Sequence, residues 1–153
     1  MPNNDVLTNG SYVVLTAVGT CFLGLWHGGR VSSFRKAAGL GYPTPYADSA
    51  HLSAASAENK HKLYLFNCAQ RAHGNFLENH TTFLFALLVA GLRYPVASAG
   101  LGAVWSLGRI VYAVGYTAKD KDNGKGRLAG AFFWLAQLGL YVMAGMVGYK
   151  IAF

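Results

Sequence analysis

Two rows of polar side chains stand at helical spacing inside otherwise apolar stretches. They are Arg71, Asn75 and Glu78 in one row, and Arg109, Tyr112 and Tyr116 in the other. The spacings i, i+4, i+7 and i, i+3, i+7 each place three side chains on one face of a helix. Because ionisable groups within membrane segments are costly, both rows are candidates for a functional site.

The charges of these rows and their neighbours do not balance. One carboxylate, that of Glu78, cannot compensate Arg71 and Arg109 together with Arg35 and Arg127. A surplus of buried or half-buried cations calls for an anionic ligand. A structural alternative stays open, in which Arg71 and Glu78 neutralise each other, Arg109 satisfies a backbone carbonyl, and the tyrosines belong to an aromatic belt.

Other kinds of chemistry have little support in the sequence. The five histidines have neither the HExxH spacing of a zinc protease nor a haem-attachment Cys-x-x-Cys-His. No metal site is therefore expected, although a haem held by two histidines remains a minor alternative. Cys21 and Cys68 form no redox spacing. A glycine-rich phosphate loop, a nucleophile elbow and paired catalytic carboxylates are also missing from the sequence.

The composition places these residues in a membrane protein. Of 153 residues, 53% are hydrophobic and 12% are charged, with a mean hydropathy of +0.27. That charged share is about half of what soluble domains carry, and disordered chains are poor in apolar residues. The net charge of +7 does not indicate nucleic-acid binding, because the basic residues lie in separate connections rather than on one soluble face.

The hydropathy pattern predicts an all-α, antiparallel four-helix membrane bundle formed by a single domain over residues 1–153. The predicted spans are about 11–32, 66–92, 96–117 and 128–150. The second span must recruit polar residues before its short apolar core. The long connection at about 33–65 shows no clear element, and the third connection turns at Asp122-Asn123-Gly124.

The basic residues also predict an orientation. Ten of them flank the first connection or lie in the third, and two lie elsewhere outside the spans. The ten are Arg30, Arg35, Lys36, Lys60, Lys62, Arg71, Lys119, Lys121, Lys125 and Arg127. Since short cytoplasmic connections retain positive charge, both connections are expected in the cytosol and both termini across the membrane.

Three stretches resemble a known family. FNCAQRAHGNFLEN (residues 66–79), GRIVYAVGY (108–116) and FRKAAGLGYP (34–43) are similar to the membrane-associated proteins in eicosanoid and glutathione metabolism, and most to their microsomal glutathione transferases of the third type. The resemblance implies a homotrimer of four-helix subunits in the endoplasmic reticulum. It also implies glutathione between adjacent subunits near the cytosolic surface and a lipophilic second substrate that arrives from the membrane lipid.

The resemblance assigns roles by matched position. The glutathione ligands from one subunit would be Arg71, Asn75, Glu78, Arg109, Tyr112 and Tyr116. Arg35 and His73 would reach in from the neighbouring subunit. Arg127 is the best match for the arginine that activates the thiol, with Lys125 as its competitor. Asn79 and His80 depart from the family pattern, in which an aromatic residue and a proline often stand there.

The expected function is that of a membrane glutathione transferase that also reduces lipid hydroperoxides, with glutathione as co-substrate and no metal. Leukotriene-type conjugation and prostaglandin isomerisation are alternatives within the same enzyme class. A non-catalytic lipid-presenting scaffold is an alternative of another class, and a transporter is a third. The scaffold reading is weakened because the full set of arginines and Glu78 is present. The lack of repeat symmetry weakens the transporter reading.

Overall fold

Four long helices form the protein. The computed structural model describes residues 4–119 and 121–153, with side chains from residue 10 onward apart from residue 122. The helices are α1 (Asn4–Ala38), α2 (Ser49–Ala54), α3 (Ala57–Gly91), α4 (Pro95–Tyr116) and α5 (Phe133–Ala152), with a 3₁₀ segment at Asp122–Gly130. No described residue lies in a β-strand. The predicted all-α membrane bundle is thus confirmed.

Three of the helices are long and apolar enough to cross a membrane, namely Gly10–Ala38, Pro95–Tyr116 and Phe133–Ala152. Their outward faces carry large apolar side chains, such as Leu25 on α1 and Leu135 on α5, which are 73% and 74% exposed. An apolar exterior suits lipid rather than water. α3 is equally long but more polar, and it packs against α1, α4 and α5. Some of its polar side chains, such as Asn79, therefore lie within the bundle, whereas Arg71 and Glu78 are half exposed.

The core is aromatic in the middle of the bundle. Trp105 of α4 is fully buried and stacks on Phe83 of α3, with ring centroids 3.8 Å apart. Phe133 of α5 meets Trp105 edge-on. Gln137 is also buried there, and its Oε1 accepts a hydrogen bond of 2.9 Å from Trp105 Nε1. These contacts fix the positions of α3, α4 and α5 relative to one another.

The first connection is more ordered than the sequence predicts. α1 continues to Ala38 and stops before Gly39, whose φ of 64° is the left-handed conformation that commonly ends helices. Asp48 caps α2 and Ser56 caps α3. The expectation of a connection at 33–65 without its own elements was wrong, because a small apolar cluster holds this segment against α3. The cluster includes Val31, Leu40, Ala47, Leu63 and Phe66.

The third connection packs closely on α4. Asn123 and Gly124 turn at φ values of 53° and 61°, where the sequence predicts a turn. Beyond them, a Cβ added at Gly126 would collide with the backbone carbonyl of Gly115. Residues 128–130 belong to the 3₁₀ segment and α5 begins at Phe133, so the last α-helix starts later than the predicted span. Glycine packing, which hydropathy does not register, delays the start.

Candidate functional site

One hydrogen-bonded chain joins residues of both predicted polar rows. Arg71 Nη1 donates to Glu78 Oε1 at 2.8 Å, and Asn75 Nδ2 donates to Glu78 Oε2 at 3.4 Å. From the next helix, Arg109 Nη1 donates to Asn75 Oδ1 at 2.8 Å. The structure therefore brings Arg71, Asn75, Glu78 and Arg109 together at the contact between α3 and α4.

Arg109 is the buried end of this polar chain. Its side chain has no exposed surface, Nη2 lies 3.5 Å from the carbonyl oxygen of Ala72, and Nε has no hydrogen-bond partner among the described residues. Four aromatic rings surround the guanidinium, with centroids 4.3 to 5.7 Å from Cζ. They belong to Phe76, Trp105, Tyr112 and Phe133. Ring faces attract a cation, which compensates part of the cost of burying it.

Arg71 and Glu78 form the exposed end. Their side chains are 51% and 53% exposed, so both remain accessible to a ligand. The described residues offer Glu78 as the single carboxylate near two arginines. Binding of a zwitterionic ligand here could replace the Arg71–Glu78 pair without leaving a buried charge unpaired.

A cavity of about 330 Å³ opens beside Arg71. Its walls come from the first connection, the first half of α3, the end of α4 and the third connection: Tyr46, Tyr64, Asn67, Cys68, Arg71, Tyr116 and Asn123. Arg71 and Tyr116 were predicted site residues. Tyr46, Tyr64 and Cys68 were not, because they belong to no polar row and their placement depends on how the first connection folds.

Asn67 shows how that connection is held. Its Oδ1 accepts from the backbone N–H of Ala47, and its Nδ2 donates to the Ala47 carbonyl, both at 2.8 Å. Ala47 itself is buried against α3, and the residue before it, Tyr46, lines the cavity. Asn67 thus positions one wall of the cavity.

The third connection places Arg127 over Tyr116. The Arg127 guanidinium carbon lies 5.0 Å from the centroid of the Tyr116 ring, and Nη1 donates to the carbonyls of Asn123 and Gly124 at 3.0 and 2.9 Å. Since Tyr116 and Asn123 line the cavity, Arg127 stands directly behind its wall. Lys125, in contrast, is exposed.

Tyr112 links the cavity wall to the aromatic core. It is half-buried, meets Tyr116 edge-on at 5.6 Å, and lies under the guanidinium of Arg109 with 5.0 Å between Cζ and the ring centroid. The second predicted row is therefore continuous from Arg109 to Tyr116 along α4.

Arg35 lies apart from the polar chain. It is buried between the rings of Tyr42 and Phe66, with centroids at 4.5 and 4.6 Å, and its Nη1 donates to the carbonyls of Thr44 and Gly41. Within one chain this side chain holds the first connection in shape.

His73 faces α1 rather than the cavity. Its ring stacks at 6.0 Å from that of His27, and its Nδ1 is buried with no hydrogen-bond partner among the described residues. Further along α3, His80 Nε2 lies 2.8 Å from Thr20 Oγ1, and Asn79 Nδ2 donates to the carbonyl of Asn75. The two departures from the family pattern thus serve as contacts within the bundle. The described part of the chain contains no cluster of three metal-ligating side chains.

A comparison with known protein families covers most of the chain. The sequence profile of the MAPEG family, the membrane-associated proteins in eicosanoid and glutathione metabolism, matches residues 13–146. The chain belongs to the MAPEG family. Its members are integral membrane proteins and include glutathione transferases and eicosanoid synthases, with glutathione as co-substrate. The MAPEG chain described here is therefore an integral membrane protein of an enzyme family that uses glutathione.

Proposed function

We propose that this MAPEG protein is a glutathione transferase that also reduces lipid hydroperoxides, most similar in activity to the microsomal glutathione transferases of the third type. The observation that carries the proposal is the hydrogen-bonded chain from Arg71 through Glu78 and Asn75 to the buried Arg109. It combines one carboxylate with two cations, and its exposed member Arg71 lines the cavity of about 330 Å³.

Glutathione has the complementary charges. It carries two carboxylates and one ammonium group, so Glu78 pairs with the ammonium, while Arg71 directly and the buried Arg109 through Asn75 attract the carboxylates. Guanidinium groups bind carboxylates through two parallel hydrogen bonds where the geometry permits. Asn75 is the link between this ligand and the buried arginine, because its Oδ1 accepts from Arg109 Nη1 and its Nδ2 donates to Glu78. Tyr112 and Tyr116 add hydroxyl groups along the same face.

Arg127 activates the glutathione thiol. A cysteine thiol has a pKa of about 8.5, so most of it is protonated at neutral pH, while the thiolate is the nucleophile. A cation beside the sulfur favours the thiolate. Arg127 is held behind the cavity wall by Tyr116 and two backbone carbonyls, whereas Lys125 is exposed.

Two reactions follow from one thiolate. With an electrophilic lipid, the sulfur forms a bond to carbon, and the leaving group departs or the adduct takes up a proton. With a hydroperoxide, the sulfur attacks the terminal peroxide oxygen and the O–O bond breaks. The released alkoxide takes a proton and the glutathione is left as a sulfenic acid. A second glutathione thiol then forms the disulfide and releases water.

The proposed assembly is a homotrimer in the endoplasmic reticulum membrane, with the site facing the cytosol and glutathione bound between subunits. In it, Arg35 and His73 of a neighbouring subunit complete the site. Thiol labelling of single cysteines placed at Lys60 and Lys121 in sealed microsomes tests the orientation. Protection of both from outside reagents would overturn it.

The activity is tested on the protein purified in mild detergent. Glutathione consumption is measured in parallel with chlorodinitrobenzene and with a fatty-acid hydroperoxide, and the mass of the active particle is measured on the same sample. We expect both substrates to consume glutathione and a trimer to carry the activity. Loss of both activities together with absent glutathione binding would favour the scaffold function, and an active monomer would contradict the shared site.

A further inference from the structure

A second groove lies between α1 and α4, on the side of α4 away from the polar chain. It has a volume of about 400 Å³. Apart from two hydroxyl groups its lining is apolar: Thr16, Gly19, Phe22, Leu23, Trp26, Ala103, Ser106 and Ile110. The groove faces the outside of the bundle, because Phe22 and Ile110 are 65% and 39% exposed.

The groove has the length of one membrane leaflet. α1 and α4 run parallel here, since Thr16 packs on Gly102 and Arg30 lies beside Ala113 and Thr117. Ten residues of helix separate Thr16 from Trp26, or about 15 Å. That is half of a hydrocarbon core of about 30 Å. An extended acyl chain would therefore fill the groove from the membrane centre to its edge.

Arg30 lies about one helical turn beyond Trp26, which lines one end of the groove. Its Cζ lies 5.0 Å from the centroid of Trp26, and Nη2 donates to Thr117 Oγ1 at 2.6 Å. Nη1 and Nε donate to no described residue, and no described carboxylate forms an ion pair with Arg30. The half-buried guanidinium of Arg30 is thus held through Nη2 alone. Its Nη1 and Nε remain available to an anion at the end of the apolar groove.

We propose that the groove binds one acyl chain of an anionic phospholipid, with the headgroup phosphate and a second headgroup anion, such as the serine carboxylate, on Arg30. The fork of donors in a guanidinium fits phosphate oxygens bidentately. Cytoplasmic leaflets supply anionic lipids, and basic residues at the membrane surface attract them. The second acyl chain stays in the surrounding bilayer. This inference does not depend on the glutathione reaction, because the groove and the polar chain use different faces of α4.

Gly19 is a position at which a substitution can block the groove selectively. A Cβ at this position meets no atom within 4 Å, so the backbone accepts Gly19→Leu, which places a side chain in the groove and favours the helix. Gly29 is equally open but does not line the groove, so Gly29→Leu is the matched control. Ala103→Leu blocks the groove from the opposite wall, and Arg30→Gln removes the charge alone.

The test measures lipid retention by native mass spectrometry of the whole protein in mixed micelles. The micelles contain phosphatidylserine or phosphatidylcholine with identical acyl chains. We expect at least about tenfold preference for phosphatidylserine, the size of one charge-assisted contact. Arg30→Gln should abolish the preference, Gly19→Leu and Ala103→Leu should reduce retention of both lipids, and Gly29→Leu should match the unchanged protein.

Three results would overturn the proposal. The first is an undiminished preference in Arg30→Gln, and the second is undiminished retention in Gly19→Leu and Ala103→Leu. The third is displacement of phosphatidylserine by equimolar oleate with the same dependence on Arg30, which would assign the groove to free fatty acids. Glutathione consumption should stay unchanged in all four variants, so a failure here is distinguishable from a failure of the proposed enzyme activity.

Discussion

Two buried polar networks occupy this bundle, and they differ in how completely they are satisfied. In the middle of the bundle, the Gln137 amide accepts from Trp105 Nε1 and its Nε2 contacts Tyr141, Thr82 and Asn79. In the other network, Arg109 keeps an unpartnered Nε and is connected to the carboxylate of Glu78 only through Asn75. The neutral network is closed within the chain, whereas the charged one is open to a ligand.

The difference distinguishes polar groups that stabilise the fold from polar groups that bind a ligand. Buried polar groups are costly unless hydrogen-bonded, so a network that serves only packing is expected to be complete. The Gln137 network meets that expectation. The charged network does not, and half of it remains exposed. Substitutions in the two regions should therefore have different consequences, in the first case for stability and in the second for the reaction.

The largest effect is expected at Arg127. An electrostatic donor aimed at charge in the reacting state contributes about 10²- to 10³-fold in rate, so Arg127→Ala should lower kcat by that factor. The pH profile should move to higher pH, because without the cation a higher pH is needed to form the thiolate. Glutathione KM should change little. Steady-state kinetics across pH measure all three.

Lys125→Ala is the matched control, since it removes a cation from the same connection two residues earlier. It should leave kcat and the pH profile unchanged. Full kcat in Arg127→Ala with a loss in Lys125→Ala would reverse the assignment. An unchanged pH profile in both variants would place thiolate stabilisation elsewhere, and Arg35→Ala would then be tested next.

Glu78 should affect binding rather than rate. Glu78→Gln removes the charge that pairs with the ligand ammonium, and hydrogen bonds to charged groups contribute about 1.5–3 kcal/mol, or about 10- to 100-fold in affinity. We expect glutathione KM to rise by that factor with kcat retained at saturation. Arg71→Ala should also raise the glutathione KM, because it removes the cation that pairs with a carboxylate of the ligand.

Glu58→Gln is the control for that substitution. Glu58 also pairs with a cation on α3, with 2.7 Å between its Oε1 and Lys62 Nζ, but it lies in the first turn of the helix. Its loss should leave KM unchanged. Equal KM values for Glu78→Gln and the unchanged protein would show that Glu78 serves only to neutralise Arg71, which is the structural alternative.

The closed network should respond in the opposite way. Gln137→Met leaves the buried Nε1 of Trp105 without its acceptor, at a cost of about 1–3 kcal/mol. We expect a lower Tm in detergent and an unchanged glutathione KM. The lipid-facing Leu138→Met, at a side chain 58% exposed, should alter neither. A raised KM in Gln137→Met with an unchanged Tm would remove the distinction between the two networks.

Sequence periodicity predicted the bundle and the polar chain because both depend on local spacing. Runs of apolar residues defined the helices, and the spacing of Arg71, Asn75 and Glu78 placed them on one face. The pairing of Arg109 with Asn75 joined two separately predicted rows. Charge counting supplied the expectation of an anionic ligand.

The cavity wall could not be predicted because it depends on contacts between distant residues. Tyr46 reaches the cavity because Asn67 holds the backbone of Ala47, a pair separated by 20 positions. Arg35 stands in a motif that the family resemblance assigns to the site, yet within its own chain it binds the carbonyl of Thr44. The network around Gln137 could not be predicted either, since all its partners except Tyr141 come from two other helices.

The smallest expected effect concerns Asp48, which holds α2 in the connection that forms the cavity wall. The pKa of Asp48 lies below its ordinary value, first because the backbone N–H of His51 donates to the carboxylate at 3.0 Å, and then because the His51 ring does so at 2.6 Å. A depressed pKa means that this stabilisation is present above the ordinary pKa of about 3.9 and is lost as the pH falls below it. Protection of the α2 amides from hydrogen exchange should therefore be lower in Asp48→Ala at pH 7 and should converge with the unchanged protein at low pH. Because Asp48 is exposed, the difference should be small and should leave Tm and glutathione KM unaltered. A Tm shift as large as that of Gln137→Met would mean that the first connection supports the whole bundle rather than one wall of the cavity.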